Sequence, residues 1–198
     1  MLGKNHIITN VCSLVCLSDV LALESNYVGH FAPQVHAITN QFTHYYLNPQ
    51  INMPMILFKS ICILLFLLGT LLPDTDSPNS ILGKFIYVPV EHRTWTHSIW
   101  PVIVLFGVSI FIHILFWVGL GYLLHLLWDS LSNGGICYFY PISKYKGYGN
   151  GAKVKQKHIF KLYKVGSISE YILVGLVVVF TVYFTFKYNP HILTILRI

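Results

Sequence analysis

The stretch His92-Arg93-Thr94-Trp95-Thr96-His97-Ser98 gathers two imidazoles, a guanidinium and three hydroxyls. Upstream lies an acidic turn, Leu72-Pro73-Asp74-Thr75-Asp76; downstream, His125 and Asp129 stand four apart in an apolar run. Four apart is one face of a helix. The chain has only 7 carboxylates, and Asp74, Asp76 and Asp129 are among them. Ionisable groups beside membrane-like segments are costly and mark function by default. Nitrogen and carboxylate donors without thiolates suit zinc, manganese or iron. The expected chemistry is a metal site at a membrane surface.

Each pair has a plainer reading beside the metal one. His125 and Asp129 also fit a buried histidine hydrogen-bonded to a carboxylate. Asp74 and Asp76 flank Thr75 between Pro73 and Pro78; an extended backbone would turn both carboxylates one way, ready to bridge two cations, but turn chemistry uses the same residues. His92 and His97 do not share a helix face; they converge if His92 lies in a loop and His97 opens a helix capped by Thr96. Arg93 offers a planar fork that matches phosphate oxygens, or serves as an interfacial anchor. Lys84 is a weaker phosphate candidate that can instead snorkel. The joint placement of the pairs favours the metal reading, with Asp74 or Asp76 as base or bridging ligand and Arg93 as the phosphate clamp.

The elements that must position these groups follow from hydropathy. The 198 residues are 55% hydrophobic and 10% charged, with mean hydropathy +0.61. Soluble domains carry about 25% charged residues, so the chain reads as a polytopic membrane protein forming a single domain, 1–198. Read as one helix, 98–129 would be about 48 Å long and would hold His97 and His125 about 42 Å apart. A hairpin turning within 107–113 brings them together. With apolar segments at 7–23, 54–72 and 171–188, the fold class is an all-α integral membrane bundle of about five membrane segments, with a short helical hairpin at 98–130. The segment 81–90 opens like a helix, with Pro78 at the first position.

Counting crossings puts His6, Asp74, Asp76, His92, His97, His125, Asp129 and Glu170 on one face. Lys144, Lys146, Lys153, Lys155, Lys157, Lys161 and Lys164 fall on that same face, and the positive-inside rule makes it cytoplasmic. The basic window reads first as a solvated cytoplasmic loop; anionic membrane lipids are compatible partners for it, and nucleic acid is not. Oligomeric state is not encoded in any of these signals. Cys12, Cys16, Cys62 and Cys137 lack C-x-x-C spacing and read as packing residues. Lys4 and the run 7–17 imitate a signal peptide, but Asp19 follows closely, so the segment reads as retained. His30, His36 and His44 show no regular ligand spacing.

The motifs together resemble the YdjM-like family of membrane-bound metal-dependent hydrolases. The resemblance rests on 72–76 with Ser80-Ile81-Leu82-Gly83-Lys84, on His92-Arg93 through Thr96-His97-Ser98, on Gly121-Tyr122-Leu123-Leu124-His125 through Asp129, and on Gly166-Ser167-Ile168-Ser169-Glu170, with His6 as an early histidine. That family is related to zinc-dependent phospholipases C. The resemblance implies a helical bundle in a prokaryotic inner membrane, holding several divalent ions, zinc first, that hydrolyse a phosphoester. It gives ligand candidacy to His6, Asp74, His92, His97, His125, Asp129 and Glu170, and less directly to Asp76. Ser77 departs from the pattern, since family members often carry His there, and the hairpin is short for the family. Two readings of other classes stand beside it. An ion or proton translocator would spread ionisable groups through the membrane depth, and a structural membrane partner would bind no metal.

Overall fold

The computed structural model describes residues 3–27, 54–90, 92–142 and 161–188. The expected surface histidines His30, His36 and His44, and the basic window from Lys144 to Lys157, lie outside the described residues. Among the described residues, five α-helices form the bundle and no strand occurs: α1 Gly3–Tyr27, α2 Met55–Leu71, α3 Trp100–Ser109, α4 Leu115–Ser130 and α5 Ile168–Tyr188. A 3-10 turn, Leu72–Asp76, continues α2.

The hairpin expected between His97 and His125 is present. α3 ends at Ser109, a turn occupies 110–114, and α4 returns against α3. Phe106 and Phe116 close it, with ring centroids 5.6 Å apart. The break lacks a proline or glycine at its apex; packing of the two arms fixes it. α2 lies along α4, and α1 along α5. Phe58, Cys62 and Phe66 of α2 bury against Trp117 and Leu120 of α4. At Gly69 and Gly121 the two backbones touch: a β-carbon on either would collide with the Val118 or Phe66 carbonyl oxygen. Small residues that let backbones approach are the usual device of helix packing in lipid. The four cysteines form no disulfide, and Cys62 and Cys137 are buried.

Among the described residues, two stretches are long and apolar enough to cross a membrane, Ile56–Asp76 and Ile168–Tyr188. α3 has 10 residues and α4 has 16, about 15 and 24 Å of helix, short of a core about 30 Å thick. α1 has 25 residues, but Asn5, His6, Thr9 and Asn10 are all buried along it, and this polar stripe lowers its hydropathy.

Two local expectations give way. The segment 81–90 is a chain of turns rather than a helix. Ser80 Oγ donates to the Asp74 carbonyl and accepts the Gly83 N–H, so the chain curls back onto the acidic turn. Thr96 is not a helix cap: α3 begins at Trp100 after Ile99, with no side-chain cap, and the Ile99 N–H bonds to the Tyr138 carbonyl.

Candidate metal centre

The 3-10 turn determines where the two acids point. With three residues per turn, positions two apart diverge by about 240°, so Asp74 and Asp76 do not face the same way as an extended backbone would have them. Asp74 Oδ1 lies 3.6 Å from both His97 Nε2 and His125 Nε2. Asp76 turns to the other side. Its Oδ1 accepts from His92 Nδ1 at 2.7 Å. Its Oδ2 accepts from Thr96 Oγ1 at 2.5 Å and from the Arg93 N–H at 3.2 Å, and lies 3.2 Å from His97 Nδ1.

The same turn orients His125. In an i→i+3 pattern the Thr70 carbonyl would look for the N–H of Pro73, which has none. His125 Nδ1 supplies the proton instead, at 2.8 Å. A carbonyl only accepts, so Nδ1 carries the hydrogen and Nε2 presents its lone pair. His6 stacks on His125, ring centroids 3.7 Å apart, with Nε2 3.1 Å from Asp129 Oδ1. Asn10 holds α1 in this register by donating to Thr70 Oγ1 and to the Gly121 carbonyl. His97 Nε2 lies 3.5 Å from Asp129 Oδ2 and so joins the two halves.

Two groups result, His6 with His125 and Asp129, and Asp74 with His92 and His97; within each, one ligand atom per residue lies within 4.8 Å of the others. His6, His97 and His125 are fully buried. Each has a ring nitrogen without a hydrogen-bond partner: both nitrogens of His6, and Nε2 of His97 and His125. A buried polar atom left unpaired costs about 1–3 kcal/mol, and such atoms gathered at one point are donors that an ion could satisfy. Their spacing fits one. Ligands of a tetrahedral ion with bonds of about 2.0–2.2 Å stand about 3.4 Å apart; the His-to-carboxylate separations facing the cluster run from 3.1 to 3.9 Å. The donor set is nitrogen and carboxylate, as zinc-type ions require. Among the carboxylates, both Asp76 oxygens are engaged by donors, so it orients His92 and His97 through their Nδ1 atoms and frees the Nε2 atoms.

His97 lies outside the helices, in the segment before α3. Burial opposes its charge, but the surrounding carboxylates of Asp129, Asp74 and Asp76 outweigh that and push it up to about 10. His92 is 47% exposed at the rim and forms the open side of the cluster.

Arg93 also belongs here. Its guanidinium donates from Nη1 to the Gly135 carbonyl at 3.1 Å and to Ser132 Oγ at 3.3 Å, while Nη2 lies 3.5 Å from Asp129 Oδ2. Arg93 has φ 67, a region that β-carbons disfavour; anchors at both ends of the residue hold it there. Gly134 makes room, since a β-carbon would strike the guanidinium. Lys84 is exposed. Glu170 is buried but stands outside both His/Asp groups: its carboxylate accepts from Asn5 Nδ2 and the Gly166 N–H, each at 2.7 Å. It reaches the centre through Asn5, the neighbour of His6. Sequence reasoning missed Asn5, Asn10, Thr70 and Tyr122, whose hydroxyl donates to the Thr96 carbonyl. The available signal was polarity inside apolar helices: Asn5 and Asn10 recur on the His6 side of α1.

The model of the YdjM inner membrane protein family matches residues 36–191, more than half of the chain, and the chain belongs to that family. His6 and Asn5 precede the matched span. No curated protein and no solved structure matches the chain. Family and apolar helices together make this a membrane protein.

Proposed function

We propose that this chain is a membrane-bound, metal-dependent phosphoester hydrolase with its centre at the cytoplasmic face. The reading rests above all on three buried imidazoles whose partnerless nitrogens meet Asp74 and Asp129 beside a guanidinium. His6, His125 and Asp129 would hold one divalent ion, and Asp74, His92 and His97 a second. Zinc is the first choice, with manganese and iron next. Ions bound there supply the Lewis acidity that polarises a phosphoryl oxygen and activates water. The protein's own part is orientation and charge. Asp76 and the Thr70 carbonyl fix the tautomers of His92, His97 and His125. Asp74, bonded to neither Arg93 nor Thr96, is the carboxylate suited to bridge the ions or accept a proton from water. Arg93 has N–H groups beyond those held by Ser132 and Gly135, and these can meet phosphate oxygens at the rim.

Five membrane segments follow in this reading: α1, α2, the two arms of the hairpin, and α5. The arms leave and return on one side whether or not they cross fully, so His97 and His125 share a face either way. A lipid-linked phosphoester is the favoured substrate, because the centre lies at the ends of apolar helices. The translocator reading would need a relay below the centre. On α1 the next histidine or charged residue after His6 is Asp19, about 20 Å along the helix, where it accepts from Thr185.

The test is purified protein assayed on lipid and soluble phosphoesters side by side. Chelation should abolish turnover and zinc should restore it, and His97→Ala should lose metal and turnover together. Metal-free protein with intact cellular function, and His97→Ala behaving as wild type, would end the hydrolase reading.

A further inference from the structure

An apolar cavity of about 620 Å³ lies between α1, α4 and α5. Cys12 and Cys16 line it from α1, Leu124 and Trp128 from α4, and Leu176 and Phe180 from α5. It falls in the range of about 300–1,000 Å³ typical of small-ligand sites. Its position relative to the metal centre is fixed by helix geometry. Leu124 and Trp128 each directly precede a residue of the centre, His125 and Asp129, so cavity and centre occupy adjacent stripes of α4. On α1, Cys12 and Cys16 lie about 9 and 15 Å further along than His6. On α5, Leu176 and Phe180 lie about 9 and 15 Å beyond Glu170. The cavity therefore continues the centre towards the membrane interior.

The cavity also opens to the bilayer. Leu176 and Phe180 are 62% and 57% exposed, on a helix long and apolar enough to span the membrane. Cys16 Sγ reaches Thr181 Oγ1 at 3.5 Å, tying α1 to α5 at its deep end. A polar, cation-type centre above and a hydrocarbon-lined groove below, joined along α4 and α1, match one kind of molecule. We propose that this groove holds the hydrocarbon tail of a lipid whose phosphate lies at the metal centre. The inference rests on the hydrolase reading only for the fate of that lipid: tail binding requires the centre to receive a phosphate, not to cleave it.

The probe is hexadecyl phosphate with a photoreactive diazirine at mid-chain, incorporated at low mole fraction in phosphatidylcholine nanodiscs with the zinc-loaded full chain. The matched control is the same chain ending in an alcohol. Irradiation followed by peptide mapping should place label on the Cys12 to Cys16 stretch and on Trp128. The phosphate probe should exceed the alcohol there by at least about fivefold, a difference of about 1 kcal/mol. Leu176→Trp, and Cys12→Phe from the opposite wall, should lower that label by a similar factor while zinc stoichiometry, which reports folding, stays at the wild-type value. Absence of label in the groove, equal label from the alcohol, or label unaffected in both zinc-competent variants overturns the proposal. Phosphate-dependent groove label without any turnover would leave the proposal standing and remove the hydrolase reading instead.

Discussion

Replacing Asp76 with asparagine separates a metal ligand from a residue that aims ligands. Asp76 Oδ1 serves one donor, His92 Nδ1, whereas Oδ2 faces the Arg93 N–H, Thr96 Oγ1 and His97 Nδ1. An asparagine keeps its carbonyl towards the three donors and must turn its NH2 to His92. That amide donates and cannot accept, so His92 must present a bare Nδ1 and carry its proton on Nε2, which closes Nε2 to a metal. The lost charge-assisted bond is worth about 1.5–3 kcal/mol. Removal of an outer partner ordinarily weakens a metal site 10–100-fold, about 1.4–2.7 kcal/mol, and the two scales agree. The expected outcome for Asp76→Asn is therefore one site weakened about 10–100-fold, that of Asp74, His92 and His97, with the His6, His125 and Asp129 site close to wild type. Zinc titration against a chelating indicator, with metal content and thermal melting as controls, reads both. Loss of that one site altogether in a folded protein, as expected for His97→Ala, would make Asp76 a direct ligand. Affinity within about twofold of wild type, a difference under 0.5 kcal/mol, would remove its orienting role.

His97 sets a pH dependence. Its folded value is raised from 6.5 to about 10, so in metal-free protein it is protonated at neutral pH. The stability it contributes is fully present below about 6.5 and fades as pH rises through about 10. Metal must displace that proton, so affinity should rise with pH through the neutral and mildly alkaline range, by up to about tenfold per unit. Calorimetry in two buffers of different ionisation enthalpy should show proton release, and a flat profile would refute it. Orientation is tested by reporters fused after Ile198: five segments from a cytoplasmic start put that end outside, so an extracytoplasmic reporter should be active there, and activity of a cytoplasm-only reporter would reverse the topology.

The placement of the centre was legible because the chain is poor in charge. In an apolar sequence with 7 acids, paired His and Asp at segment ends stand out, and the distance argument together with the family resemblance pointed to a hairpin between His97 and His125. The local shapes that failed depended on side-chain contacts made outside the segment itself. Ser80 bonding to the Asp74 carbonyl draws 81–90 into turns despite its helix-start pattern. The anchoring of Asp76 makes Thr96 a donor to it rather than a cap for α3. Backbone groups were beyond reach altogether: the Thr70 carbonyl sets the His125 tautomer, but a carbonyl has no residue type to read. Only Pro73 hinted at it, and only once the turn was known to be 3-10.

Ser77 brings sequence and structure together. It follows Asp76 where the resembled family often has histidine. In the fold Ser77 is extended after the 3-10 turn, and its N–H closes on the Asp74 carbonyl. The centre draws its histidines from α1, from the segment before α3, and from α4, and both groups are complete in nitrogen and carboxylate donors without position 77. The departure at Ser77 therefore removes no donor from either group, and the Asp76→Asn titration reads the acidic turn beside it.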